Sequence, residues 1–404
     1  MKIKRLSSYW LCFGLIPINI YGDFLEKILG IKALFFNAAA IAVYFALCLV
    51  TGNKKEKIPK ILVYFLVLNG IIAVEHFIRF GRFEEEIKQI LYILLFVMVC
   101  LYSDKKGFER VKKVIVALTV PMTIDALYWY PRIKSMGYRM FNIRRYTMVD
   151  KTFYTLVFPI ALIILFNWIF FEKREEKIAF GVWTCVLLFI IFGVVESKMA
   201  ILAFAFTIGF EFFITRKKYK KRYLKIFLLV FGFASIIGLL LSIKIIKIPD
   251  YVVAALSFLG GKFDAVNSVY YETFFTRGEI LKNGLLVWLR FPIFGVGYGG
   301  YYDYVSTQGM QNLSTGITDI ESAALGVLVE GGLAYFISNV LIYSAIIKNI
   351  VVKKKYTEHW VDYVGIFTCI VFLLLGNDFM SVFYWVIIGI IFNGIMRSKG
   401  KTIR

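Results

Sequence analysis

Residues 322–347 read SAALGVLVEGGLAYFISNVLIYSAII. Glu330 is the only charged side chain in the run. At a rise of about 1.5 Å per residue, a helix of this length crosses the roughly 30 Å hydrocarbon layer of a bilayer. Comparable runs recur along the 404 residues, 59% of which are hydrophobic. A soluble chain of this length would need more charged residues to cover its surface. Backbone groups cannot stay unpaired in hydrocarbon, so the spans are helices or a closed barrel. Continuous apolar runs, in place of short alternating ones, select helices.

The fold class expected is therefore an all-α polytopic membrane protein, a single membrane domain over residues 1–404. Spans are predicted near Ser8–Gly22, Ala33–Thr51, Ile61–Ile78, Ile90–Tyr102, Val114–Tyr130, Phe153–Phe171, Ile178–Val195, Ala200–Ile214, Ile226–Ile243, Ser322–Ile347, Val361–Gly376 and Ser381–Met396. That is about twelve transmembrane helices. The net charge of +21 would suggest nucleic acid in a soluble protein. Here most Lys and Arg fall between spans, which reads as topology signals beside anionic lipid, with no nucleic-acid partner. With the N-terminus cytoplasmic, the short basic connections and the C-terminus are cytoplasmic too. Two basic segments fall on the other side: residues 131–151 and a large loop, residues 244–321, expected to contain short helices.

Working back from Ser322, Thr318-Asp319-Ile320-Glu321 fits a capping box at the mouth of the tenth span. Glu321 would lie at the membrane surface. Glu330, nine residues on, would face the other way on a straight helix, unless Gly331 and Gly332 distort it. An ionisable group inside a span is a functional candidate; a structural partner for another buried polar group is an equal reading. Further back, Thr276-Arg277-Gly278-Glu279 fits a second capping box, with a helix from Arg277 to about Leu289 stopped by Pro292. An arginine at a helix N-terminus suits an anion, above all phosphate. A surface arginine on an interfacial helix is the competing reading. Gly295-Val-Gly-Tyr-Gly-Gly300 could let a ligand approach the backbone at Gly295, Gly297 and Gly299. On its own, a tight re-entry turn explains it better, and no βαβ context supports a dinucleotide site.

The loop at residues 131–151 offers Arg139, Arg144 and Arg145 among aromatics, which suits an anionic head group. Glu196-Ser197-Lys198 is a small polar turn on the same side. Glu75 and His76, near the end of the third span, read as a satisfied polar pair. The five cysteines lie in apolar runs, and the two histidines make no Cys/His cluster, so neither a disulfide framework nor a metal site is expected. Polar residues thus gather mainly at one face, in contrast to transporters, which place them at mid-membrane. Cations with a carboxylate and no metal cage suit glycosyl transfer from a lipid pyrophosphate.

The run TRGEILKNGLLVWLRFPIFGVGYGGYYDY resembles the signature of the O-antigen ligase and Wzy-type O-antigen polymerase superfamily. ESAALGVLVEGGLAYF is similar to the segment of that superfamily ending in Glu-x-Gly, and VVESKMAILAF to its Ser-Arg turn, with Lys198 replacing arginine. Ligases carry a His-Asn pair just before the next span; here the position reads Asp319-Ile320-Glu321, which points to a polymerase. The resemblance implies a multi-pass enzyme of the bacterial plasma membrane. It would join undecaprenyl-pyrophosphate-linked oligosaccharide repeat units into capsule, exopolysaccharide or O-antigen, at its extracytoplasmic face, with inversion and without metal or cofactor. Arg277, Glu321 and Asp319 would be catalytic; Arg139, Arg144, Arg145, Lys198 and Arg290 would hold pyrophosphate. A chain-length regulator and a flippase are possible partners. Ligase-type transfer to another acceptor, or a lipid-linked oligosaccharide flippase, are the alternatives.

Overall fold

The computed structural model describes residues 6–51, 58–81, 83–103, 106–135, 149, 151–172, 175–195, 197, 199–214, 268–308, 320, 322–352, 359–375 and 381–397. The described residues are mainly helical, with no strand among them. In chain order the helices are α1 (Leu6–Ile20), α2 (Gly22–Leu29), α3 (Ala33–Thr51), α4 (Lys60–Phe80), α5 (Phe83–Tyr102), α6 (Gly107–Ser135), α7 (Lys151–Phe170), α8 (Lys177–Val194) and α9 (Met199–Ile214). They continue with α10 (Ser268–Arg290), α11 (Gly300–Thr307), α12 (Ala323–Ile347), α13 (Trp360–Leu374) and α14 (Val382–Arg397).

Five of these helices are long and apolar enough to cross a membrane: α3, α4, α7, α8 and α12, the last counted on to Ile350. Shorter apolar helices stand at α1, α9, α13 and α14. The fourth and fifth expected spans lie within longer helices, because the polar flanks FEEEIKQ and GFERVKK continue the helical turn. The span expected at Ile226–Ile243 lies outside the described residues.

Packing sorts the helices into a core and a lipid-facing rim. The α7 span is 83% buried, against 28% for α3, so α7 runs through the middle while α3 keeps most of its side chains outward. Val382–Phe392 of α14 is apolar on every face because α14 is enclosed: it packs on α5, and Trp385 meets the Phe65 and Phe96 rings at 6.2 and 5.5 Å. The helix α12 lies against both α4 and α10.

Two corrections concern helix starts. The described part of α10 begins at Ser268, so Thr276 is not its N-cap and Arg277 is not in its first turn. The dipole argument for an anion at Arg277 therefore fails, although the helix does end before Pro292 as expected. Likewise α12 is capped by Ser322, whose Oγ accepts from Leu325 N at 3.4 Å, and Ile320 is not helical. The box at Thr318 is therefore not the cap of this helix.

Candidate functional site

The centre of the site is a break in α12. Gly332 has φ 65° and ψ −168°, a conformation essentially reserved for glycine. In an unbroken helix Leu333 N and Ala334 N would donate to the carbonyls of Val329 and Glu330. Instead they donate to Pro292 O at 2.8 Å and Ile293 O at 3.0 Å. The two released carbonyls accept from Val296 N and Gly297 N, each at 3.0 Å. The segment 292–297 is thus inserted into the helix, so two lost helical bonds become four bonds between segments. This matters in a membrane, where an unpaired backbone group costs several kcal/mol.

The insertion needs glycine on both sides. Gly295 has φ 74°, and a Cβ there would collide with the Glu330 carbonyl. A Cβ on Gly332 would collide with the Ile293 carbonyl. Gly297 and Gly299 also have positive φ; a Cβ on Gly297 would stand 2.9 Å from the Phe80 ring, and one on Gly299 3.1 Å from Glu85. The Gly295–Gly300 run is a re-entry turn, its role set by close backbone approach to α12.

The turn between α4 and α5 holds this loop from the other side. His76 is fully buried. Its Nε2 lies 2.5 Å from Phe294 O, and its Nδ1 lies 3.0 Å from Glu86 Oε1. A carbonyl can only accept, so Nε2 carries a proton. Glu86 Oε1 also accepts from Tyr298 N at 3.4 Å. The expected Glu75–His76 pair is a minor contact, at 3.9 Å; Glu86 is the closer carboxylate, and Glu75 turns to Arg79 at 3.2 Å. Aromatic rings close the cluster, with Tyr298 edge-on to His76 at 5.0 Å and to Tyr335 at 5.3 Å. Tyr335 Oη accepts from Gln89. Burial, with Tyr335, Glu86 and Glu330 as neighbours, pushes the Tyr298 phenol well above its ordinary value.

Arg290, at the end of α10, is exposed and donates to Tyr304 Oη at 2.8 Å. Of the residues selected from the sequence, the described part places Arg290 at the end of α10 and Gly295, Gly297 and Gly299 in the turn that follows. Asp319, Glu321, Arg139, Arg144, Arg145 and Lys198 lie outside the described residues, as does the side chain of Arg277. Beside Lys198, Ser197 is buried, 3.1 Å from Thr155 Oγ1, and accepts from Ala200 N at 3.3 Å, capping α9. His76 with Glu86, and Arg79 with Gln89, were not selected as functional by sequence reading. The available signal was a histidine, two arginines and four carboxylates crowded within residues 75–86.

Polar residues do not gather at one face only. The helix α5 runs away from the loop, so the start of α6 marks the opposite end of the bundle. There Lys112, fully buried, lies 2.6 Å from Glu109, 3.1 Å from Glu172 and 2.5 Å from Asp362. His359 Nδ1 is 2.9 Å from Glu109, and Asn167 donates to Asp362 at 3.1 Å. Ligand atoms of Glu109, His359 and Asp362 lie within 4.8 Å of one another, a spacing that could hold a metal ion. The Lys112 ammonium fills that role, since it already contacts both carboxylates. Burial pushes the Glu109 carboxyl up, but the His359 hydrogen bond and the Lys112 charge outweigh it and hold it at about 2.

Residues 183–339 match the O-antigen ligase family. The matched segment contains α9, α10, the inserted loop, α11 and the break in α12. It is under half of the chain, and α4 and α5, with His76, Arg79 and Glu86, lie outside it. No curated protein matches the chain. The match agrees with the resemblance read from the sequence and supports glycan transfer of the ligase and polymerase kind.

Proposed function

We propose that the protein is a polysaccharide polymerase that joins undecaprenyl-pyrophosphate-linked oligosaccharide repeat units at the extracytoplasmic face of a bacterial plasma membrane. The observation that carries this reading is the O-antigen ligase match over residues 183–339, which spans both partners of the loop insertion. The absence of a His-Asn pair at Asp319-Ile320-Glu321 favours polymerase over ligase.

In the proposed reaction an acceptor hydroxyl oxygen attacks the anomeric carbon of the growing chain. The bond from that carbon to the pyrophosphate oxygen breaks, and the electron pair leaves with the lipid pyrophosphate. The hydroxyl proton goes to a carboxylate, for which Glu321 is the first candidate and Asp319 the reserve. Arg277 with Arg139, Arg144, Arg145, Lys198 and Arg290 neutralises the leaving group. Lys198 supplies charge without the arginine fork. The configuration at the anomeric carbon inverts, because attack and departure occur on opposite faces in one step.

Purified protein incubated with its lipid-linked repeat unit should lengthen the glycan and release lipid pyrophosphate. A flippase would do neither, and a ligase would move the glycan only to a different acceptor. Loss of a transition-state charge partner costs about 10²–10³ in rate, so Arg277→Ala should insert normally and leave single repeats. Wild-type chain lengths in a well-expressed Arg277→Ala variant rule out that role for Arg277.

A further inference from the structure

Arg79 stands where α4 meets the inserted loop, outside the segment that matches the O-antigen ligase family. Its guanidinium lies 5.2 Å from the Phe80 ring centroid and 5.0 Å from that of Phe291. Glu75 Oε1, one turn back, holds it at 3.2 Å. Two rings and a carboxylate fix the group, yet its side chain remains 44% exposed. Arginine carries five N–H donors in a rigid fork, and Glu75 occupies one edge of it.

Phe291 connects Arg79 to a second guanidinium. It meets Tyr304 edge-on at 5.3 Å, and Tyr304 Oη accepts from Arg290 at 2.8 Å. Two exposed guanidiniums therefore flank one aromatic pair, contributed by α4, α10, α11 and Phe291 just ahead of the inserted loop. An arginine that served only solubility would not need two ring contacts and a carboxylate to hold it. A guanidinium fork matches a phosphate edge in two-point contact, and an aromatic face takes the C–H face of a pyranose ring.

We propose that Arg79 and Arg290, across the Phe291–Tyr304 pair, bind a glycosyl pyrophosphate, the arginines taking phosphate oxygens and the rings the attached sugar. The assignment rests on the polymerase reading and extends its site to α4. It also explains why a segment outside the matched region is tied so closely to the loop: His76 fixes the loop backbone at Phe294, one turn of α4 from Arg79.

The test uses the full chain in detergent with two probes, farnesyl pyrophosphate and farnesyl pyrophosphate linked to N-acetylglucosamine. Arg79→Gln should bind both about tenfold more weakly, with Arg79→Lys between, because charge remains and the fork is lost. The sugar-bearing probe should bind the wild type more tightly than the bare one. Tyr302→Leu, an exposed neighbour on α11, serves as the control and should change neither affinity. Equal affinities for wild type and Arg79→Gln overturn the proposal. So does an Arg79-dependent binding of phosphatidylglycerol nanodiscs as strong as that of the probes, since the patch would then be a lipid head-group contact. If Arg79→Gln binds normally while wild type lengthens glycan, the proposal alone fails. If wild type neither binds the probes nor lengthens glycan, the polymerase reading fails with it.

Discussion

The substitution Gly332→Ala separates the inserted loop from an ordinary helix kink. At φ 65° and ψ −168° a Cβ costs about 1–3 kcal/mol in backbone strain alone. The new carbon would also collide with the Ile293 carbonyl, so the loop must move. Four backbone bonds join the loop to α12. At about 1 kcal/mol each, their loss costs about 4 kcal/mol, of which the two re-formed helical bonds recover about 2 kcal/mol. The expected cost is therefore about 1–3 kcal/mol if the loop only shifts and about 2 kcal/mol, with the strain relieved, if it is expelled. Gly326, on the same helix, is the matched control, because a Cβ there meets nothing within 4 Å. Removing a helical glycine should stabilise by about 0.5–1 kcal/mol. The two alanine variants should therefore shift thermal unfolding, followed by tryptophan fluorescence in detergent, in opposite directions. Glycan length in cells should fall in Gly332→Ala and hold in Gly326→Ala. If both variants melt at the same temperature, the glycine is not needed for the break and the insertion argument is wrong.

Other expectations follow from the same geometry. Gly295→Ala should destabilise like Gly332→Ala, and the double variant should cost less than the two single losses together, because either Cβ expels the same loop; strict additivity in unfolding measurements counts against a shared contact. His76→Ala should lower stability by about 1–3 kcal/mol and reduce glycan transfer, since it leaves Glu86 buried without its closest partner; unchanged melting and transfer refute the tie. Lys112→Met should cost about 3–5 kcal/mol by leaving carboxylates buried without their counter-charge, and adding Asp362→Asn should recover part of it; a silent Lys112→Met would show the cluster to be dispensable. Glu109 has a folded value of about 2 against an ordinary 4.5, so its stabilisation is full above pH 4.5 and fades as pH falls toward 2. A pH series of unfolding temperatures should show this loss, and His359→Ala should narrow the window by raising the folded value; identical acid profiles contradict the coupling.

The helical class and the helix positions were legible because they rest on local pattern. Hydropathy runs marked α3, α4, α7 and α8 to within a residue or two. Runs of polar residues hid the beginnings of α5 and α6, since FEEEIKQ and GFERVKK read as loop by hydropathy while still favouring helical turns. The two capping boxes misled for a related reason. Thr276 and Thr318 satisfy the local spacing, but Thr276 lies inside α10 and the cap of α12 is Ser322, so local spacing does not decide where a helix begins. Glu330 and the glycines beside it were recognisable as an anomaly. What the anomaly was for depended on Pro292–Gly297, which pairs with it across 33 to 41 residues, and backbone pairing leaves no trace in residue type. His76 was read with its chain neighbour Glu75, whereas the fold gives it Glu86, ten residues away, and a carbonyl 218 residues away.

The inserted loop also accounts for the otherwise puzzling position of the buried histidine. A loop held only by its own glycines and four backbone bonds would be free to rock about the helix break. His76 removes that freedom, because Nε2 grips the Phe294 carbonyl while Nδ1 is anchored on Glu86, and Glu86 in turn receives Tyr298 N on the far side of Gly295 and Gly297. The loop is thus gripped before and after its glycines by two neighbouring side chains of the α4–α5 hairpin. Both ring nitrogens are engaged, so the imidazole holds the loop in position. Precise placement is what a transfer site requires, since catalytic groups act only when held close to the reacting geometry. The polar grip on the loop therefore argues that rigidity at this end of the bundle belongs to function as much as to folding.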